Sequence, residues 1–248
     1  MTTEQFSNEF DIAINAYLPG GIVFDEYEKS VFLTKAQEQI VIQLYQSFER
    51  NELAREILAP LIRSFVTKTE YEGTEQNPTY PSSDCSFFYQ LPDDLWLIIM
   101  EEAVLSSTDK CINNKRVTVV PTTHDKLLKV LKNPFKWPNS NKALRLNLSG
   151  NIVELIAKYD IKRYFVRYIK KLNPIILTDL NDETDLQTVS FFGDLNGTRT
   201  EIFTRTECEL HETIHRDILN LAVQLAIQTR RLNMQQPTQD EEEEQPNQ

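Results

Sequence analysis

The sequence has few cysteines, few glycines and no long apolar run. Its three cysteines, Cys85, Cys111 and Cys208, form no close pair, which excludes a CxxC metal or redox motif and argues against a disulfide framework. Six glycines in 248 residues exclude collagen-like and glycine-rich low-complexity sequence. The most apolar stretch, residues 95–100, is far shorter than the roughly 20 residues of a membrane span. We therefore expect a soluble protein of a reducing compartment, with no membrane partner.

Catalytic and nucleotide-binding motifs are also missing. The sequence contains no GxxxxGK[ST], GxGxxG or GxSxG motif, no EF-hand loop and no Cys-His zinc spacing. The acidic pairs Asp93-Asp94 and Glu101-Glu102 are interpreted as ordinary surface pairs. The first residues lack the basic flank and apolar run of a secretory signal, so they imply no export. These absences predict a protein that is not an enzyme, with no catalytic residue, metal ligand or cofactor.

The composition indicates a globular chain with an acidic end. Hydrophobic residues make up 40% of the chain and charged residues 25%, which suffices to bury a core. The formal net charge is −11, and the five acidic residues 240–244 supply −5 of it. Residues 235–248 cannot bury anything and repel one another, which predicts a flexible acidic tail. A net acidic body would not attract nucleic acid over its whole surface.

Apolar periodicity predicts helices at both ends of the chain. Residues 25–65 carry apolar residues at steps of three and four, and Asp25 with Glu28 fits a capping box that begins this helix near Asp25. A shorter helix is predicted over residues 5–17, and another ends at Pro60. Residues 213–232 predict an amphipathic helix that we expect to pack on the N-terminal helices.

Short runs of β-branched and aromatic residues predict a β-rich middle, so the expected fold class is α+β. Gly150 lies between two such runs in a predicted hairpin turn. Two long polar loops, residues 71–84 and 182–200, are predicted contacts to neighbouring molecules. The strands are predicted over residues 86–90, 95–105, 116–120, 143–148, 152–157 and 163–177. The predicted parts are an N-terminal helical part (1–65), a β-rich insertion (66–205), a C-terminal helix (206–234) and the tail (235–248).

One chemical motif is present, an HExxH formed by His211, Glu212 and His215. On a helix it would place two imidazoles one turn apart to hold zinc, with Glu212 as the general base of a hydrolase. Charged Arg216 and Asp217 follow directly, and the sequence places no third ligand beside the two histidines. We favour an accidental match at a helix start and keep a zinc hydrolase as an alternative.

Residues 158–171 hold six basic residues against one acidic residue, interleaved with aromatic residues. Single-stranded nucleic acid binds such surfaces when bases stack on the aromatic rings and cations contact the phosphates. A strand with one apolar and one solvated basic face would give the same pattern. In a third interpretation the cations pair with acidic residues of an adjacent subunit. The predicted interface residues are Arg163, Arg167, Lys170 and Lys171.

Three stretches, residues 25–38, 117–135 and 163–177, carry a further signal, and the last runs on towards the Cys208-Glu-Leu helix. They are interpreted as a capped amphipathic helix, a strand followed by a charged turn and an Asn-Pro-Phe stop, and a basic-aromatic strand with an apolar end. Together they resemble virion structural proteins of crAss-like bacteriophages, specifically their neck ring or head-to-tail connector proteins, over most of residues 10–230. The layout also resembles the gatekeeper or adaptor proteins beneath phage portals, by architecture alone.

The resemblance implies a structural virion protein without catalytic residues. Such proteins form closed rings, usually twelvefold, around the DNA channel. The implied partners are further copies of the chain, the portal protein, other neck ring or tail proteins, and genomic DNA that passes without sequence-specific binding. We expect a component of the virion neck or tail that connects portal to tail and is assembled in the host cytoplasm.

Overall fold

The computed structural model describes residues 1–17, 23–68, 86–178 and 205–235. The chain forms two compact units: a helical unit of Met1–Pro60 with Leu172–Gln248, and a β unit of Leu61–Lys171. The expected α+β class, with helices at both ends of the chain and a β-rich middle, is confirmed. The predicted loops 71–84 and 182–200, the acidic run 240–244 and Cys85 lie outside the described residues.

Five α-helices run through the described residues. The predicted helix start near Asp25 is confirmed, because the Asp25 carboxylate accepts from the Glu28 amide at 2.6 Å and the Glu28 side chain accepts from the Asp25 amide. The C-terminal helix begins two residues later than predicted, after a 3-10 turn over Glu212–Ile214. In chain order the helices are α1 (Thr3–Tyr17), α2 (Glu26–Ser47), α3 (Glu52–Leu58), α4 (His124–Leu131) and α5 (His215–Gln235).

Helices α1, α2 and α5 pack around one apolar core, so the C-terminal helix does lie against the N-terminal helices. Ala222 and Ala226 of α5 are fully buried and allow the close approach of α2. The Arg230 guanidinium of α5 lies 5.0 Å from the ring of Phe24, the residue before the α2 cap. Buried core side chains of these helices include Phe6, Phe10, Ile14, Leu33, Ala36, Ile40, Ile218 and Val223.

Residues 173–177 lie along α2 and do not continue a strand. The predicted strand 163–177 is therefore wrong in its second half: the strand ends at Lys170, and Pro174 has no N–H with which to continue a ladder. The apolar residues that follow Pro174 are buried in the helical unit.

Polar side chains on one face of α2 form hydrogen bonds with the backbone of residues 173–177. They are spaced three and four residues apart, so they line up along the helix, and each is buried. Buried backbone groups need hydrogen-bond partners, and these side chains supply them. Ser30 Oγ accepts from the Leu177 amide (3.1 Å), Thr34 Oγ1 accepts from the Ile175 amide (3.0 Å), and Gln37 Nε2 donates to the Asn173 carbonyl (3.1 Å).

The β unit is built on one seven-stranded sheet. Its strands are β1 (Ile62–Thr67), β2 (Ser86–Gln90), β3 (Leu95–Ser106), β4 (Arg116–Pro121), β5 (Lys142–Asn147), β6 (Ile152–Ile156) and β7 (Asp160–Lys170). The spatial order is β1-β7-β3-β4-β5-β6-β2. Neighbouring strands are antiparallel except β4 and β5, which are parallel and are joined through α4. The predicted hairpin between β5 and β6 is confirmed, with Gly150 and Asn151 at positive φ in the turn.

Side chains alternate between an inner and an outer face of this sheet. On the inner face the rings of Tyr89 (β2) and Tyr164 (β7) lie 5.4 Å apart, although their strands are far apart in the sheet order. The sheet therefore curls around its apolar core. On the outer face Leu127 and Leu131 of α4 cover β5 and β6.

The sequence interpretation of residues 117–135 as a strand followed by a charged turn missed α4. The strand is correct, but the turn is an eight-residue helix. Only Leu127 and Leu131, one helical turn apart, are buried in it, so its apolar periodicity is too short to distinguish it from a loop.

Candidate subunit interface

Strand β7 presents its two arginines on the outer face of the sheet. Tyr164, Val166 and Tyr168 point inward and are buried, whereas Arg163 and Arg167 alternate with them and are exposed. The strand lies between β1 and β3, so both arginines have a neighbouring strand on at least one side. The guanidinium of Arg167 lies 5.8 Å from the Phe165 ring, which is half-buried on the same face.

Apolar side chains surround these arginines on the neighbouring strands. Met100 of β3 is opposite Arg167 and 37% exposed, and Val66 of β1 is opposite Phe165 and 51% exposed. Arg116 of β4, opposite Val104, adds a third exposed cation, and its guanidinium lies 3.6 Å from the Glu102 carboxylate of β3. We call this surface the arginine face; it comprises Val66, Met100, Arg116, Phe165, Arg163 and Arg167.

The structure separates the four predicted interface residues into two pairs. Arg163 and Arg167 lie together on the arginine face, whereas Lys170 and Lys171 are half-buried at the end of β7. There the Lys171 amide donates to the Asp94 carbonyl at 2.7 Å. The role of these four residues in a subunit interface stays a prediction. Sequence reasoning missed Arg116. Polar and apolar residues alternate strictly in Arg116-Val117-Thr118-Val119, and this alternation places Arg116 on the outer face.

The geometry of β7 disfavours the nucleic-acid alternative. A stacking platform needs its aromatic rings on the same face as its cations. Tyr164 is fully buried and Tyr168 is 5% exposed, both on the inner face, so only Phe165 of these three rings lies beside the arginines. The Tyr168 hydroxyl donates to Asp94 at 2.9 Å, and burial together with this carboxylate raises the pKa of Tyr168 to about 12.

The HExxH residues do not form the geometry of a zinc site. His211 has an extended backbone and accepts from the Thr213 amide before the 3-10 turn, so it is not one helical turn from His215. His215 Nε2 must carry a proton, because it lies 3.0 Å from the Leu210 carbonyl, which can only accept. Its Nδ1 then accepts from the Met1 ammonium at 2.7 Å, so both ring nitrogens are occupied. Across the described ranges, no cluster of three or more His, Cys, Asp or Glu side chains could hold a metal ion.

A buried ion pair on the inner face corrects the interpretation of Glu101 as a surface residue. Oε2 of Glu101 (β3) lies 3.3 Å from Nε of Arg145 (β5), and 4% and 10% of these side chains are exposed. The Tyr164 hydroxyl donates to the other oxygen of Glu101. Burial raises the pKa of Glu101, and the Arg145 charge and the Tyr164 hydrogen bond partly offset this rise. Glu101 alternates with buried Ala103 and Leu105, a signal that could have placed it inside.

Two cysteine thiols lie within the described residues, one half-buried and one exposed. Burial raises the pKa of the Cys208 thiol to about 11, so it is protonated at neutral pH. Cys111 is exposed and is not bonded to another cysteine.

No helix within the described ranges is long and apolar enough to span a bilayer.

Comparison with known proteins identifies the family of the chain. A model of the phage tail ring protein 3/4 family matches residues 1–238. The chain belongs to the phage tail ring protein 3/4 family. Ring protein 3 of Bacteroides phage crAss001 is 37% identical over 237 residues, covering 92% of this chain and 95% of the relative. Ring protein 4/5 of the same phage is 32% identical over 240 residues, covering 91% and 92%.

Family membership confirms the resemblance to ring proteins of crAss-like phages. The chain is a structural tail or neck ring protein, and therefore a component of the virion. Both relatives are named ring proteins, which favours a structural role over catalysis. The family match ends at residue 238, so the acidic run 240–244 lies beyond it.

Proposed function

We propose that this protein forms a closed ring in the neck of the virion, between portal and tail, around the channel through which the genome passes. The ring is twelvefold, is assembled in the host cytoplasm and contacts the portal protein on one side and other ring or tail proteins on the other. Family membership supports the ring, and the arginine face supports the way in which subunits meet.

The arginine face has the composition of a protein interface. Interfaces are enriched in arginine, methionine and aromatic residues, and this surface combines three arginines with Met100, Val66 and Phe165. A cyclic ring needs two unlike surfaces on each subunit, one meeting the neighbour on either side. The arginine face is one of them, and acidic side chains of the adjacent subunit are its partners. Lys170 and Lys171, at the end of the same strand, belong to the proposed contact.

The acidic charge of the chain suits a ring around DNA. A net charge of −11 repels phosphates, so the genome slides through without sticking to the lumen. Placing the arginines in a subunit contact removes them from the channel. DNA is therefore a passing partner and not a ligand.

The first test is the composition and the image of the virion. Mass spectrometry of purified virions should detect the chain, and cryo-electron microscopy of the neck should place it in a ring of twelve copies. Virions that lack the chain would overturn the proposal, and a ring elsewhere in the particle would overturn its neck position.

The second test perturbs the arginine face. A phage that lacks the chain is complemented with the double variant Arg163→Glu/Arg167→Glu, and infectious particles are counted. We expect few particles, because the reversed charges would oppose the acidic partner. The matched control is Lys110→Glu/Lys158→Glu, which reverses two exposed cations elsewhere on the β unit and should complement fully. Equal complementation by both variants would exclude the arginine face as a subunit contact.

A further inference from the structure

Charge is divided unequally between the two units of the chain. The helical unit holds 25 acidic and 9 basic residues, a net charge of −16. The β unit holds 12 acidic and 17 basic residues, a net charge of +5. Two copies therefore attract each other when the β unit of one faces the helical unit of the other, and repel when like units meet.

A turn at the end of α4 is the most exposed apolar feature of the described residues. Phe135 is 93% exposed, and Leu128 and Trp137 are 52% and 42% exposed. Single exposed apolar residues are ordinary, but three within ten residues form a patch. Four exposed lysines accompany them, spaced so that they flank the three apolar side chains: Lys126, Lys129, Lys132 and Lys136.

Hydrogen bonds hold this turn in one conformation. The Asn133 side chain accepts from the Phe135 amide at 3.0 Å, and the Asn133 carbonyl accepts from the amides of Lys136 and Trp137, each at 3.0 Å. Pro134 fixes its own φ between them. The backbone that carries Phe135 is therefore ordered before binding, so docking does not have to order this turn.

We propose that the α4 turn, residues 126–137, docks on the helical unit of a second copy of this chain. The inference rests on the proposed ring: the α4 turn and the arginine face both belong to the basic one of the two unlike surfaces that a ring requires, and the helical unit of the neighbouring copy is the other. The four lysines meet a unit of net charge −16, and Phe135 with Trp137 supplies the apolar anchor of the contact.

The partner surface is the folded N-terminal part of the helical unit. Residues 1–60 hold ten acidic against four basic residues. They also carry apolar side chains open to solvent, among them Ile12 (70%), Tyr17 (67%) and Val23 (80%). The acidic run 240–244 could pair with the lysines, but the residues around it have no apolar side chain except prolines to receive Phe135. The β unit of another copy would repel the turn.

Cross-linking of isotopically mixed protein tests this contact. Full-length chain with natural nitrogen is mixed with full-length chain labelled with ¹⁵N, and a zero-length carbodiimide joins lysine amines to neighbouring carboxylates. We expect mixed-isotope peptides that link the lysines of the α4 turn to acidic residues within 1–60. Links to residues 240–244 alone, links within one isotope alone, or no association of the copies would each overturn the proposal.

Variants separate the contact from folding. Phe135→Ser and Lys132→Glu/Lys136→Glu alter exposed side chains, so the fold should survive, as circular dichroism would show. Sedimentation should then show self-association weakened about tenfold, whereas the control Lys110→Glu/Lys158→Glu leaves it unchanged. Equal association of all variants would exclude the turn. A neck ring seen in virions together with this negative result would leave the proposed function standing and remove only the inference.

Discussion

Replacing Arg145 with methionine tests the buried ion pair of the β unit. The substitution keeps the apolar stem of the side chain but leaves the Glu101 carboxylate, 4% exposed, without its cation. Removing one partner of a buried pair costs about 3–5 kcal/mol, because the remaining charge is neither solvated nor compensated. We therefore expect Arg145→Met to lower the free energy of unfolding of the β unit by about that amount at pH 7.

The loss should depend on pH in a direction set by Glu101. Its pKa is raised in the folded protein above the ordinary 4.5, by burial. A carboxyl group with a raised pKa stabilises the fold below its unfolded pKa and loses that contribution as the pH rises through its folded pKa. Without Arg145 this pKa rises further, so the deficit of the variant should shrink as the pH falls from 7 to about 5. The double variant Glu101→Gln/Arg145→Met has no uncompensated charge and should recover most of the stability at pH 7.

Urea unfolding followed by tryptophan fluorescence measures these differences. Both tryptophans, Trp96 and Trp137, belong to the β unit, so the signal reports on that unit whether or not the helical unit unfolds with it. A loss below about 1 kcal/mol for Arg145→Met, or a loss that is the same at both pH values, would refute the reasoning.

Three further predictions concern the helical unit. Thr34→Val should speed amide exchange in residues 172–178 and cost about 1–3 kcal/mol, because it leaves the buried Ile175 amide without a partner; Thr229→Val, on an exposed helix position, should change little. Burial lowers the pKa of His215 below 6.5, so its stabilising contribution is present above pH 6.5 and is lost as the pH falls from there through the folded pKa. Circular dichroism melts should show this loss, and His215→Gln should flatten it. Elemental analysis should find zinc far below one equivalent, and a chelator should leave the melting temperature unchanged, since both ring nitrogens of His215 are already hydrogen-bonded. Stoichiometric zinc would contradict the last prediction, and unchanged exchange near Ile175 the first.

Local sequence rules predicted the elements whose signals repeat over several turns or strands. The capping residues Asp25 and Glu28 located the start of α2, and short runs of β-branched and aromatic residues located six of the seven strands, although the run over residues 163–177 extends beyond the end of β7. Alternation along β7 also separated Arg163 and Arg167 from the buried tyrosines. These signals suffice because burial on one face imposes its period directly on the sequence.

The remaining features depend on contacts between residues far apart in the chain. Residues 175–177 have the composition of a strand, but the amides of Ile175 and Leu177 donate to side chains of α2, some 140 positions earlier, which no local pattern reveals. Glu101 was misjudged because an acidic pair usually lies at the surface, whereas Arg145, two strands away in the sheet, makes its burial tolerable. Arg116 joined the candidate interface only when the order β7-β3-β4 was known.

The uneven division of charge also bears on which surfaces meet when copies of the chain associate. A contact between the β unit of one copy and the helical unit of another places a charge of +5 against a charge of −16. Such a contact is made twice in a twofold dimer or repeats head to tail, and head-to-tail contacts form a ring when the rotation between copies closes. Membership of a ring protein family favours the head-to-tail arrangement. Association should accordingly weaken steeply with added salt, since exposed charges a Debye length apart are screened, and salt-independent association would show that apolar burial alone holds the copies together.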